Sequence, residues 1–139
     1  MKEFVYGRDK EIIDWVGARV DENDFGEAIG LGVYEDGKIL AGVVYNMYNG
    51  PSICMHVAAE GKRWLNREFL FRFFAYPFIQ LGCNRVTGLV RVDNIEARRF
   101  DEHLGFVQEG VIRRGASDGT DMILYGMLKE ECRWLGVRQ

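Results

Sequence analysis

Proline and cysteine are scarce in this chain of 139 residues, which holds 2 prolines and 3 cysteines. Few prolines leave long stretches free to form unbroken helices and strands. Cys54, Cys83 and Cys132 are odd in number and lack CxxC spacing. That argues against a disulfide scaffold or a zinc site, so no metal is expected and the thiols read as reduced, in a cytoplasmic protein. No apolar run approaches the roughly 18–20 residues of a membrane span. The opening Lys2-Glu3-Phe4 does not lead into the apolar stretch of a signal peptide. Positive charge is not in excess either: 18 Lys and Arg face 21 Asp and Glu, a net −3. A general nucleic-acid binder would carry a basic balance.

What the chain has is core material. Apolar residues make up 47% and aromatics 13%, enough for one globular domain spanning 1–139 and too much for disorder. The charge is unevenly spread. Residues 1–60 hold 5 basic and 11 acidic side chains, whereas 61–114 hold 10 basic and 6 acidic. The positive middle segment is either a local anion site or a set of ordinary solvated arginines.

The order of elements is legible. Phe4-Val5-Tyr6 is a short apolar run, and Asp9 is placed to cap a helix carrying Ile12, Ile13, Val16 and Val20 at helical spacing. Asp36-Gly37 between two apolar runs predicts a hairpin, with Glu35 opposite Lys38 and Val33 opposite Leu40. Asn49-Gly50-Pro51 turns the chain into a strand, Ser52 to Ala59, that reads as buried on both faces. Asn66 can cap a helix running to about Leu81, in which Pro77 should bend or loosen the last turn. Phe71 and Phe78 fall off its apolar stripe and mark a possible homodimer face. Arg85 to Val92 is a strand, and Ile95 to Leu104 is a charged helix closed by Gly105. Phe106 to Arg114 and Met122 to Leu128 form a final strand pair, and Trp134 and Leu135 look like a docking tail. The pattern β-α-β-β-β-α-β-α-β-β gives an α/β domain, helices packed on a mixed sheet.

The stretch from Leu81-Gly82-Cys83-Asn84-Arg85-Val86 through Asn94-Ile95-Glu96-Ala97 to His103-Leu104-Gly105-Phe106 resembles the "LGxxRV…N…A/S…LGF" signature of the Gcn5-related N-acetyltransferase (GNAT) superfamily. The likeness is strongest to members related to the ribosomal-protein acetyltransferases. Glu109-Gly110 with Arg113, and Tyr125-Gly126-Met127-Leu128, continue it. The resemblance implies the GNAT fold, a mixed and mostly antiparallel sheet of 6–7 strands flanked by helices. It implies acetyl-CoA as co-substrate and an amine acceptor that attacks directly in a ternary complex. Val57, Ala58 and Ala59 would offer backbone groups to the pantetheine arm, and Asn94 would bind the cofactor where two central strands part. The loop Lys62-Arg63-Trp64-Leu65-Asn66-Arg67 stands at the pyrophosphate position, because the first amides of a helix lack partners and sit at the positive end of its dipole.

Two departures from the family pattern stand out. The loop usually reads R/Q-x-x-G-x-G/A, whereas Leu65 and Arg67 fill both small positions and should push the phosphates outward or redirect the loop. Lys62, Arg63 and Arg67 can supply charge in their place. Many members carry a tyrosine as proton donor where this chain has Asp101, and an ordinary Asp is ionised at pH 7 and a poor acid. Tyr125, Tyr45 or Tyr48 are the substitutes in sight. His56 and Glu60 are the candidate bases, with a hydrogen-bonded core histidine as the alternative for His56. Arg98 and Arg99 either meet phosphates or pair with acidic neighbours on their helix. Trp64 either covers the ligand or anchors the packing.

The acceptor expected is an amine on a small molecule or protein. The acidic residues Asp21, Glu22, Asp24 and Glu27 hint at a cationic one, such as a protein N-terminus, lysine or polyamine. Two other classes stay open: altered GNAT chemistry, such as the nucleobase modification of phage-type members, and a non-catalytic binding protein.

Overall fold

The computed structural model of the chain describes residues 1–20 and 24–136. Asp21 and Glu22 lie outside the described residues. Among the described residues, seven strands form one sheet in the order β1-β2-β3-β4-β5-β7-β6. They are β1 (Lys2–Val5), β2 (Ala28–Glu35), β3 (Lys38–Asn46), β4 (Ser52–Ala59), β5 (Arg85–Arg91), β6 (Val107–Ile112) and β7 (Met122–Leu128). Every neighbouring pair is antiparallel except β4 and β5, which run parallel. Helix α1 (Asp9–Val20) packs on one face; α2 (Arg67–Ala75) and α3 (Ile95–Leu104) pack on the other. The element order and the mixed sheet are those the sequence predicts.

Local chemistry accounts for most boundaries. Asp36 (φ 52°) and Gly37 (φ 81°) both take positive φ, which makes the tight hairpin turn. Glu35 pairs with Lys38 as expected, but a bulge between Val33 and Tyr34 shifts the register, so Val33 faces Ala41 and not Leu40. Asn66 and Asn94 cap α2 and α3 by accepting from the amides of Phe69 and Ala97. Asp9 begins α1 but turns its carboxylate to the amide of Gly30 on β2, 3.1 Å away, so it tethers the helix to the sheet. Gly42 allows that close approach: a Cβ there would lie 2.8 Å from Val16.

Pro77 has the effect its chemistry requires. It cannot donate to the carbonyl of Phe73, and the helix passes into a π-helical turn over Tyr76–Gln80. The orphaned Phe73 carbonyl accepts from the Tyr45 hydroxyl at 2.7 Å. Phe78 is fully buried, ring stacked on Phe74 at 6.4 Å, because it follows that residue by one helical turn. It is therefore core and no part of an outer face; Phe71 remains exposed. β4 is also less enclosed than expected, with Cys54, His56 and Val57 only half-buried. The cause is the opening between β4 and β5.

Candidate active site

β4 and β5 pair only at Ser52–Arg85, Ile53–Val86 and Cys54–Thr87. Beyond Cys54 the two strands part, and β4 continues to Ala59 bonded to β3 alone. The amide of Glu60 donates to Leu40 on β3. Backbone groups of an antiparallel strand alternate sides, so Ala58 and His56 also turn theirs toward β3. Met55, Val57 and Ala59 turn theirs into the opening. Of the three residues expected to meet the pantetheine arm, Val57 and Ala59 turn backbone groups into the opening, and the Ala58 backbone is engaged with β3.

The loop at the end of β4 is held by its side chains. Trp64 is buried, its ring edge-on to Phe73 of α2 at 5.9 Å and to Phe100 of α3 at 5.8 Å. Its indole is therefore the packing anchor, the second of the two roles left open, and it is not available to cover a ligand. Leu65 packs half-buried against the same core. Arg63 pairs with Glu35 at 2.5 Å. Arg67 donates to the Arg133 carbonyl and lies over the Trp134 ring, while the Trp134 indole N–H donates to the Leu104 carbonyl. The C-terminal tail docks as expected, and it takes Arg67 with it. Lys62 is exposed and has no ion pair among the described residues. Asn66 satisfies the Phe69 amide, but the amides of Arg67 and Glu68 meet no acceptor among the described residues. An anion can therefore reach two free amides and Lys62 there.

On the α1 face, His56 stands in a short polar chain. The Asn46 amide N–H donates to the Phe25 carbonyl at 2.9 Å, which leaves Asn46 Oδ1 facing His56 Nε2, also at 2.9 Å. A carbonyl oxygen can only accept, so this network makes His56 Nε2 the donor to Asn46. The Phe25 ring tilts over the imidazole at 4.9 Å. Glu60 is exposed and accepts from Arg19 at 2.6 Å; the Arg19 guanidinium in turn lies over Trp15. That pair ties the end of β4 to α1 and holds Glu60 away from His56's network.

On the α3 face, Tyr125 is buried and donates its hydroxyl proton to Glu102 at 2.7 Å. Arg98 donates to the Val92 carbonyl and approaches the same hydroxyl at 3.4 Å. Burial raises the Tyr125 pKa above the ordinary tyrosine value. Neither it nor Tyr45, whose proton is given to Phe73, is a spare acid. Arg98 is half-buried and makes no ion pair among the described residues. Arg99 is exposed with no ion pair among the described residues, and Asn94 keeps its amide N–H groups after capping α3.

Asp101 is the residue whose chemistry changes most. Its Oδ2 lies 3.5 Å from where a Cβ on Gly88 would stand, over the first β5 residue beyond the last β4–β5 pair. Burial, reinforced by Glu102, raises its pKa from 3.8 to about 7. Desolvation thus moves Asp101 away from an ordinary aspartate and toward its protonated form. No sequence signal foretold this, because burial of α3 against β5 is a tertiary fact.

No family model matches the chain. YdaF of Bacillus subtilis (strain 168), provisionally named a ribosomal N-acetyltransferase, is 29% identical over 143 aligned positions covering 94% of this chain and 73% of YdaF. A solved spermidine N-acetyltransferase, a SpeG chimera from Vibrio cholerae and hSSAT, superposes with a TM-score of 0.75. It is 17% identical, with 97% of this chain and 99% of that one covered. A single-substitution form of Vibrio cholerae SpeG gives a TM-score of 0.73 at 14% identity, covering 97% of this chain and 96% of that one. The chain has the GNAT fold. Its parted parallel strands, capped α3 and open β4 edge are the GNAT fold's cleft, and its glycine-poor loop is a departure carried by Trp64, Leu65 and Arg67. No helix among the described residues is long and apolar enough to cross a membrane.

Proposed function

We propose that this GNAT-fold protein moves an acetyl group from acetyl-CoA to an amine in a ternary complex. The observation that carries the reading is the opening between β4 and β5, which has backbone donors and acceptors on one edge and free helix amides at one end. The residues fit the co-substrate. Val57 and Ala59 would hold the pantetheine amides, and the amides of Arg67 and Glu68 with Lys62 would hold the diphosphate. Asn94, at the start of α3, and Arg99, midway along it, would add polar contacts.

When bound, acetyl-CoA supplies an activated acyl carbon, so that a C–N bond to the amine forms as the C–S bond breaks. The chain's own residues handle protons. His56, oriented by Asn46, takes the proton that the amine loses. The Phe25 ring covers one side of that half-buried imidazole. Glu60 acts as a tether through Arg19, and Tyr125 as a strut through Glu102.

Charge pairing favours an amine over nucleic acid as the acceptor. Arg63, Arg72, Arg85 and Arg91, all in the basic middle segment, are neutralised by Glu35, Glu68, Glu109, Asp93 and Asp118. The chain's net charge of −3 adds to the case against a phosphate backbone as partner. Calorimetry with acetyl-CoA and desulfo-CoA tests the reading. Saturable heat and a thermal shift are expected with both, and the absence of both signals would remove acetyl transfer.

A further inference from the structure

Helix α2 buries one face and keeps an apolar stripe on the other. Phe69, Leu70, Phe73 and Phe74 are buried, whereas Phe71 is 39% exposed and Ile79, in the turn that continues the helix, is 57% exposed. An α-helix advances about 100° per residue, so Ala75 stands about 40° round from Phe71. Carried on at that rate, Ile79 would stand about 80° away. The π-helical turn over Tyr76–Gln80, closed by the Leu81 amide on the Tyr76 carbonyl at 3.0 Å, is wider and advances less per residue. It swings Ile79 back toward the line of Phe71. Phe71, Ala75 and Ile79 thereby line one groove of about 470 Å3, with Tyr6 beside them.

The walls of the groove are fixed by the fold. The Tyr6 ring tilts against Phe4 at 5.1 Å, and the Arg72 guanidinium lies over the same Phe4 ring at 5.6 Å. Arg72 also pairs with Glu68 at 3.0 Å, so the acid and the base on the rim neutralise each other. A neutral apolar groove gives no hold to a nucleic acid or an anionic membrane, both of which call for a basic rim. Its occupant is an apolar surface of matching relief.

We propose that the groove is the interface of a homodimer, in which α2 and its π-helical continuation cross the same segment of a second copy, antiparallel, at Ala75. The order large–small–large reads the same in both directions, as a twofold axis requires of a contact between identical patches. With the axis at Ala75, Phe71 packs beside Ile79 of the partner subunit, and symmetry repeats that contact. The small side chain at the crossing lets the two helices approach closely. One helical face and a flanking tyrosine bury less than the roughly 1,600 Å2 of a standard interface, so the dimer is reversible and forms in the micromolar range.

Sedimentation velocity of the whole chain, from low micromolar to sub-millimolar concentration, tests the interface. The wild-type sedimentation coefficient should rise with concentration from that of a monomer toward that of a dimer. Phe71→Glu and Ile79→Glu, both at exposed positions, should each weaken association at least about tenfold, because each places an unpaired carboxylate in the contact. Thermal unfolding of the dilute variants should stay close to that of dilute wild type, which separates loss of the interface from loss of the fold. Val111→Glu, at an exposed apolar position on β6, should leave association unchanged. Ala75→Cys should cross-link two copies under mild oxidation, beyond any cross-linking through the 3 native cysteines of wild type. Wild-type protein that stays monomeric throughout would leave the groove to an unlike partner and overturn the dimer. So would a dimer that Val111→Glu disperses while folded Phe71→Glu and Ile79→Glu proteins still associate like wild type.

Discussion

The loop at the end of β4 and the helix after β5 frame the same opening and treat their polar groups in opposite ways. In the loop, charge is plentiful and mostly occupied: Arg63 is held by Glu35, and Arg67 by the C-terminal tail. In α3, one carboxyl is left with no partner among the described residues, on the face turned to the sheet. A cation already paired gains little from a ligand, because binding must first break the existing contact. A desolvated, unpaired acid is held away from its solution behaviour by the fold itself. Abundance of charge in a sequence segment is therefore a poor guide to where the chemistry sits.

Several substitutions would break or sharpen this contrast. Trp64→Ala should have the largest effect, removing an indole buried between two helices and costing roughly 3–5 kcal/mol of stability in denaturant unfolding. A stable Trp64→Ala protein that merely binds acetyl-CoA less well would return the indole to the ligand and undo the loop's assignment. Asp101→Asn comes next, with a stabilising sign. An acid whose folded pKa is raised favours the folded state below its unfolded pKa, and that contribution is lost as pH rises through the folded value. Between 3.8 and about 7, at about 1.36 kcal/mol per pH unit, the loss reaches at most about 4 kcal/mol. The variant should therefore be more stable than wild type at pH 8, and the difference should shrink to nothing toward pH 3. Tyr45→Phe should cost about 1–3 kcal/mol, because the Phe73 carbonyl orphaned by Pro77 would lose its buried donor. Arg67→Ala should cost under about 1 kcal/mol, as an exposed contact with the tail, and should leave acetyl-CoA affinity almost unchanged.

What could be read in advance followed the chain's local rules. Asp36-Gly37, the asparagine caps, Gly105 and Pro77 act through neighbours a few residues away, so their consequences are visible without a fold. The GNAT resemblance was legible for the same reason, because its motifs are short and contiguous. The bulge after Val33, the Arg19–Glu60 tether and the burial of Trp64 depend on partners far along the chain. So does Asp101, whose acidity is set by α3 lying against β5. Within the site, His56 could be named from its strand, but its contacts with Asn46 and Phe25 join residues distant in sequence and adjacent in space.

The central claim is that the opening between β4 and β5 admits acetyl-CoA despite the filled loop. Crystallisation with acetyl-CoA tests it most directly. Density for the thioester arm between Val57 and Gly88, with the Trp64 indole still packed on Phe73 and Phe100, is the predicted result. An opening closed by Leu65 or Trp64, with no density in it at saturating acetyl-CoA, would contradict the account.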